Sequence, residues 1–205
     1  MTSHDEETFT GNSVFWSYSV IMFLILLFGF FGNLFTIIVL RHREHRKKSI
    51  TPLMMNLAVA DLMIVVFGYP AVISNNMQGQ MMRTGGPLCI WSGFINGITG
   101  ITSIGTLTAM SGVVYQTIKR NNPNYSIPNR QNLVLIMGAW LYGFVALLPP
   151  LIGWNRFVPG KAGLSCAPDW TTQDLVSTVY IVLLVAGGFF IPFIMITTFL
   201  TMTHR

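Results

Sequence analysis

Inside the long apolar stretches of this 205-residue chain lies a single acid, Asp61. A carboxylate at the centre of a membrane helix costs about 2.5–3.5 kcal/mol on insertion scales, so it should face other helices or a cation. Asn33 lies in the preceding apolar stretch, and Asn56 sits one turn and a residue before Asp61. Both are candidate hydrogen-bond neighbours. Two readings stay open: an internal polar network with a sodium site, or a polar pin between packed helices. The two cysteines are Cys89 and Cys166. A bridge between them would close a loop of about 77 residues, which a chain-entropy model values at roughly 4–5 kcal/mol. The alternative is two separately buried thiols. His4, His42, His45 and His204 lie in the termini or a connector, beside no carboxylate of a span, so catalytic or metal chemistry is not expected of them. No His-Glu-x-x-His, Gly-x-Ser-x-Gly or phosphate-loop pattern occurs, and the chain does not read as an enzyme.

The elements that must position these residues are membrane helices. The chain is 52% hydrophobic and 9% charged, with a mean hydropathy of +0.57. A soluble domain carries about a quarter charged residues. Residues 8–40, 84–118, 131–155 and 175–204 contain no Asp, Glu, Lys or Arg, and 49–82 contain only Asp61. Each run exceeds the roughly 20 residues needed to cross the hydrocarbon core. Within lipid a helix satisfies its own backbone, so each run reads as helix. The expected spans are 15–40, 52–77, 87–118, 132–153 and 175–202, preceded by a tail at 1–14. The first run is too long for a signal peptide and its front is acidic.

Loop charge sets the orientation. Arg41, Arg43, Arg46, Lys47, Lys48, Lys119, Arg120, Arg130 and Arg205 fall on one side, and Arg83, Arg156 and Lys161 on the other. Nine against three places the first connector in the cytoplasm and the N-terminal tail outside. Both cysteines then face an oxidising compartment, where disulfides persist. The sequon at Asn124 falls on the cytoplasmic side and should carry no glycan. Basic residues confined to short connectors give no face for nucleic acid. The partner the composition implies is a lipid bilayer.

In the third span Gly93, Gly97 and Gly100 share one face. Such a face admits a close helix or leaves room for a ligand. Gly187, Gly188 and Pro192 in the fifth span, and Pro149–Pro150 ending the fourth, mark bends. Trp16, Trp91 and Trp170 fall near the outer interface, where aromatic belts sit.

Taken together, GFFGN (Gly29 to Asn33), NLAVAD (Asn56 to Asp61), Cys89, Trp140, Pro149–Pro150 and Pro192 resemble the rhodopsin-like class of G protein-coupled receptors. The outer segment GWNRFVPGKAGLSCAPDW, Gly153 to Trp170, is similar to the corresponding loop of opsins, and Phe67 to Gly79 resembles the non-visual neuropsin branch. The fold this implies is an all-α membrane protein, five transmembrane helices of a seven-helix rhodopsin-like bundle, with 15–205 as its receptor domain. The resemblance further implies light sensing through retinal, and heterotrimeric G protein and arrestin as partners. Carried over by position, the retinal pocket would include Gly93, Asn96, Gly97 and Gly100, Ser165 of the outer loop, and Leu184, Gly188 and Phe189. Cys89–Cys166 would tie the loop over that pocket. Asn33, Asn56 and Asp61 would form the activation network, Asp61 being the sodium carboxylate, and Tyr115 would touch the G protein.

Four features depart from the family. Lys47, Lys48, Lys119 and Lys161 all lie in connectors, so no span offers a Schiff-base lysine. Ser92 and Gly160 stand where the family carries counterion carboxylates. Val113 and Val114 stand where it carries an acid and an arginine, and Phe199 and Leu200 occupy the region of its inner tyrosine. These departures leave two other readings: a receptor of this class with a non-covalent ligand, or a truncated decoy without signalling.

Overall fold

The computed structural model describes residues 3–42, 48–120, 127–160 and 163–203. Arg43, His45, Arg46, Lys47, Lys161, His204, Arg205 and the sequon at 124–126 lie outside the described residues. Five helices are long and apolar enough to cross a membrane. They are α1, Ser3–Leu40; α2, Thr51–Met77; α3, Pro87–Lys119; α4, Asn129–Leu151; and α5, Leu175–Thr203. The expected spans agree to within three residues at either end. The exception is α1, whose helix continues back to Ser3 through the stretch expected as a tail. Its apolar part is Phe15–Leu40.

Two helices widen where a proline approaches. Proline lacks an N–H and its ring crowds the preceding turn. In α2 a π-turn at Ile64–Gly68 comes just before Pro70. In α5 a π-turn at Ala186–Phe190 comes just before Pro192. Such turns admit one extra residue and leave carbonyls without their usual partners. The Trp91 indole N–H supplies one, donating to the Phe67 carbonyl at 2.8 Å. Pro149–Pro150 close α4 in a short 3-10 turn, Pro149–Leu151.

α3 is the hub. α2, α4 and α5 all pack on it, and α1 packs on α2. Small residues permit the closest approach. A Cβ on Gly143 of α4 would lie 2.8 Å from the Ile98 carbonyl oxygen and from the Thr102 hydroxyl of α3. One buried cluster lies toward the disulfide end and contains Val72, Cys89, Ile98, Leu147 and Phe157. A second, toward the basic end, contains Leu53, Val113 and Ile127. Large apolar side chains such as Phe28, Phe35, Leu141, Val145, Leu183 and Phe193 remain exposed along the helices, the pattern of a surface solvated by lipid.

Candidate ligand site and the basic end of the bundle

The loop between α4 and α5 folds into an antiparallel hairpin, β1 (Phe157–Pro159) on β2 (Cys166–Pro168), with Val158 opposite Ala167. Cys166 is bonded to Cys89 in the first turn of α3, with Cα atoms 5.3 Å apart. The same loop is tied to the end of α2, because the Asn76 amide donates to the Leu164 carbonyl at 3.1 Å and the Met82 N–H to the Gly163 carbonyl at 3.0 Å. Asp169 anchors the far end of the hairpin. Its carboxylate accepts from the Thr171 hydroxyl at 2.7 Å, the Thr172 hydroxyl at 2.6 Å, the Thr171 N–H at 2.9 Å and Arg156 Nε at 3.1 Å. Asn155 pairs both ways with its backbone. The threonine hydroxyls, with Arg156 contributing, hold the Asp169 carboxyl well below the usual carboxylate range. Charge-assisted bonds of this kind favour the ionised form. Asp174 caps α5 by accepting from the Ser177 N–H at 2.9 Å, which lowers its carboxyl too.

The hairpin plugs the space beside the glycine face of α3. The Phe157 ring is buried, and a Cβ on Gly93 would meet it at 2.5 Å. Leu147 of α4 stands likewise 2.6 Å from a Cβ on Gly97, whereas Gly100 has open space before it. Two of the three glycines therefore serve close packing by this chain's own side chains. Asn96 presents a buried carbonyl oxygen with no hydrogen-bond partner, packed against Gly68 of the α2 π-turn. Ser165 is half-buried in the hairpin, Leu184 packs against the cluster at the disulfide end, and Gly188 is buried against Ile101. Phe189 is instead 55% exposed and stacks on Phe193, so it points away from the other candidates.

The polar residues separate into two groups. Asp61 accepts from the Ser103 hydroxyl at 3.4 Å. Asn56 is buried elsewhere: its amide donates to the Thr106 hydroxyl at 2.9 Å, and its carbonyl accepts from the Trp140 indole at 2.9 Å. That triad joins α2, α3 and α4. Asn33 donates to the Gly29 carbonyl of its own helix at 2.9 Å. The expected bonds from Asn33 and Asn56 to Asp61 are therefore replaced by these partners. No group of three or more His, Cys, Asp or Glu side chains suited to a metal occurs among the described residues.

At the opposite end, Val113 is buried against Leu53 and Ile127, an apolar seat that an acid could not occupy without a partner. Tyr115 packs on Phe199 of α5 with ring centres 5.8 Å apart, and Lys119 lies over the Tyr115 ring at 5.6 Å. Ser92, at the counterion position, is fully buried and donates to the Cys89 carbonyl at 3.3 Å. As a seat for covalent retinal the residues of this chain do not fit. Gly93 and Gly97 are filled, and none of the four lysines lies in the interior of a span, Lys119 being the last residue of α3.

Sequence reasoning missed Ser103, Thr106 and the fillers Phe157 and Leu147. Asp169 carried a signal only as a member of the loop motif, three residues after Cys166. A polar partner one helix away leaves no mark in linear spacing.

The family model of the 7 transmembrane receptor (rhodopsin family) matches residues 32–205. The rhodopsin of Lethenteron camtschaticum is 27% identical over 186 residues, 88% of this chain and 52% of that protein. The GQ-coupled rhodopsin of Mizuhopecten yessoensis is 29% identical over 185 residues, 88% of this chain and 37% of that protein. The pinopsin of Columba livia is 27% identical over 176 residues, 86% of this chain and 50% of that protein. This chain thus spans about half the length of the curated relatives it matches. In fold it is similar to the crystal structure of squid rhodopsin, with a TM-score of 0.85 and 22% identity over 94% of this chain and 52% of that one. A membrane-spanning receptor and not an enzyme, the chain belongs to the rhodopsin family of seven-transmembrane receptors.

Proposed function

We propose that this chain supplies the outer plug and five helices of an opsin-type, light-sensing receptor that uses retinal and acts on a heterotrimeric G protein, with arrestin as a second partner. The observation that carries the reading is the hairpin at Phe157–Pro159 and Cys166–Pro168, bonded to α3 through Cys89 and laid over its glycine face. In this reading the N-terminus and the plug face the outside of the cell. Gly100, Asn96, Ser165, Leu184 and Gly188 supply the chain's share of the ligand wall, Gly93 sets how deeply the plug sits, and Gly97 sets how closely α4 approaches through Leu147. Phe189 plays its part only where a neighbouring helix covers it. Asp61 and Ser103 form the sodium-sensitive element, Asn56 with Thr106 and Trp140 the rigid frame beside it, and Tyr115 faces the G protein. Covalent attachment of retinal requires a lysine within a span, which residues 1–205 do not supply.

A second reading rests on Ser92 and on Val113–Val114: a receptor of the same class with a non-covalent ligand, or a decoy that does not signal. One experiment separates them. The transcript is read through its stop codon at the source, and light-evoked GTP exchange is measured on the encoded product with retinal. Two further apolar spans, a lysine in the last, and light-dependent exchange are expected. A frame that stops after Arg205, or exchange indifferent to light, refutes the first reading.

A further inference from the structure

Between α3, α4 and α5 runs a groove of about 610 Å³ that opens to the membrane side of the bundle. It exists because α5 packs along α3 and meets α4 only toward the disulfide end, where the Tyr180 hydroxyl donates to the Ala146 carbonyl at 3.1 Å and the Tyr142 hydroxyl lies against Gly187. Its walls are low where Gly105, Ala109 and Gly112 of α3 face Gly138 and Ala139 of α4, and Met195 of α5 closes one side. Thr108 turns its hydroxyl back to the Ile104 carbonyl at 2.9 Å, so the wall there is apolar. The groove ends at mid-membrane, where the Tyr142 hydroxyl lies against Gly187. From Gly187 to Phe199 is 12 residues along α5, about 18 Å at the helical rise of 1.5 Å per residue. One leaflet of a roughly 30 Å hydrocarbon core is about 15 Å deep.

The mouth of the groove is polar, and two basic residues flank the glutamines that line it along α3 and α4. Gln116 and Gln131 line it. Arg130 adjoins Gln131 in the first turn of α4, and Lys119 follows Gln116 by one turn, poised over the Tyr115–Phe199 pair. A cation in a helix's first turn opposes the macrodipole, so Arg130 has no local electrostatic reason to be there. No Asp or Glu occurs between Asp61 and Asp169 or after Asp174. α3, α4 and α5 therefore bring no carboxylate to this mouth. The one acid in a connector on this side of the sequence is Glu44, between α1 and α2.

We infer that this groove holds one acyl chain of an anionic phospholipid, its headgroup seated on Lys119 and Arg130. The apolar trough sets the chain's place and the two cations select the headgroup. The site depends on neither light nor retinal.

The test uses the 205-residue chain in nanodiscs of mixed phosphatidylglycerol and phosphatidylcholine, released into mild detergent and weighed by native mass spectrometry. One phosphatidylglycerol should be retained in preference to phosphatidylcholine. Gly138→Leu, which fills open space in the trough, should abolish retention of either lipid. Lys119→Gln with Arg130→Gln should leave a lipid bound but lower the preference for phosphatidylglycerol, roughly fivefold per charge removed. Equal retention of the two lipids, no retained lipid, or a preference that survives the double glutamine variant overturns the assignment. Because the glutamine variant leaves the trough unaltered, the headgroup arm is decided even where Gly138→Leu fails to fold.

Discussion

Gly143→Ala should separate α4 from α3, and Gly138→Ala, five residues away on the same helix, should not. An added Cβ at 143 would stand 2.8 Å from the Ile98 carbonyl oxygen and 2.8 Å from the Thr102 hydroxyl. Carbon and oxygen do not approach that closely without movement, and one of the two partners is backbone, held by α3's own hydrogen-bond ladder. The helices must part locally, which for overpacking costs about 1–3 kcal/mol. Replacing a helical glycine by alanine returns about 0.5–1 kcal/mol through the unfolded chain and helix propensity. The net loss at 143 is therefore about 0–2.5 kcal/mol, centred near 1. At 138 nothing lies within 4 Å of the added Cβ, so only the propensity gain remains. The separation also stretches the neighbouring Thr102 bond to the Ala139 carbonyl, already 3.4 Å, and disturbs Trp140, which donates to Asn56. The assay is thermal unfolding in nanodiscs followed by tryptophan fluorescence. A melting temperature for Gly143→Ala at or above that of the native chain would refute the close-approach argument, as would an equal drop in Gly138→Ala.

Three other outcomes follow from the same geometry. The lowered Asp169 carboxyl stabilises the fold above the ordinary carboxylate pKa, and that contribution fades as pH falls from about 4 toward the folded value. Unfolding midpoints should therefore be insensitive to pH near neutrality, where the Asp169 contribution is fully present, and decline in acid, and Asp169→Asn should lower the neutral midpoint and flatten that decline; an unchanged acid limb removes Asp169 from the account. Asp61→Asn should insert at least as well as the native chain, since it removes a charge costing about 2.5–3.5 kcal/mol in a span, and it should abolish stabilisation by sodium over choline; equal sodium responses would leave Asp61 a packing residue. Given retinal in the dark, the 205-residue chain should show no visible band that shifts on acid denaturation as a protonated Schiff base does, because its lysines lie outside the spans; such a band would place a reactive lysine where none is expected.

The spans were legible because the membrane imposes one rule everywhere, uninterrupted apolar length, and each charge-free run satisfies it. The Cys89–Cys166 bond was legible because only two cysteines exist and both fall on the same side. What lay beyond reach was which side chain fills which gap. Gly93 and Gly97 signal that something comes close, and the same signal serves a ligand, a loop or a neighbouring helix. The choice is made by Phe157, 64 residues further on than Gly93, once Asp169 and the disulfide have fixed the hairpin. Asn56 sits five residues before Asp61, more than a full turn of α2, so its amide faces Thr106 and Trp140 while Asp61 faces Ser103.

The same reasoning gives the departures from the family a physical content. An acid at 113 would be buried between Leu53 and Ile127; here valine fills that seat, and two residues further on α3 meets α5 through Tyr115 on Phe199. Aromatic packing of this kind is not switched by protonation or by a competing charge, as a salt bridge is. It contributes about 0.5–1.5 kcal/mol beyond area burial, set by ring contact alone. Tyr115→Ala should therefore loosen α5 at the basic end while leaving the disulfide-pinned plug in place. Amide hydrogen exchange reads this directly: protection should fall along the last two turns of α5 and stay unchanged at Phe157–Pro159. If exchange rises equally at both ends, the two clusters are one cooperative unit, and the separation of a disulfide-end core from an apolar clasp at the basic end is wrong.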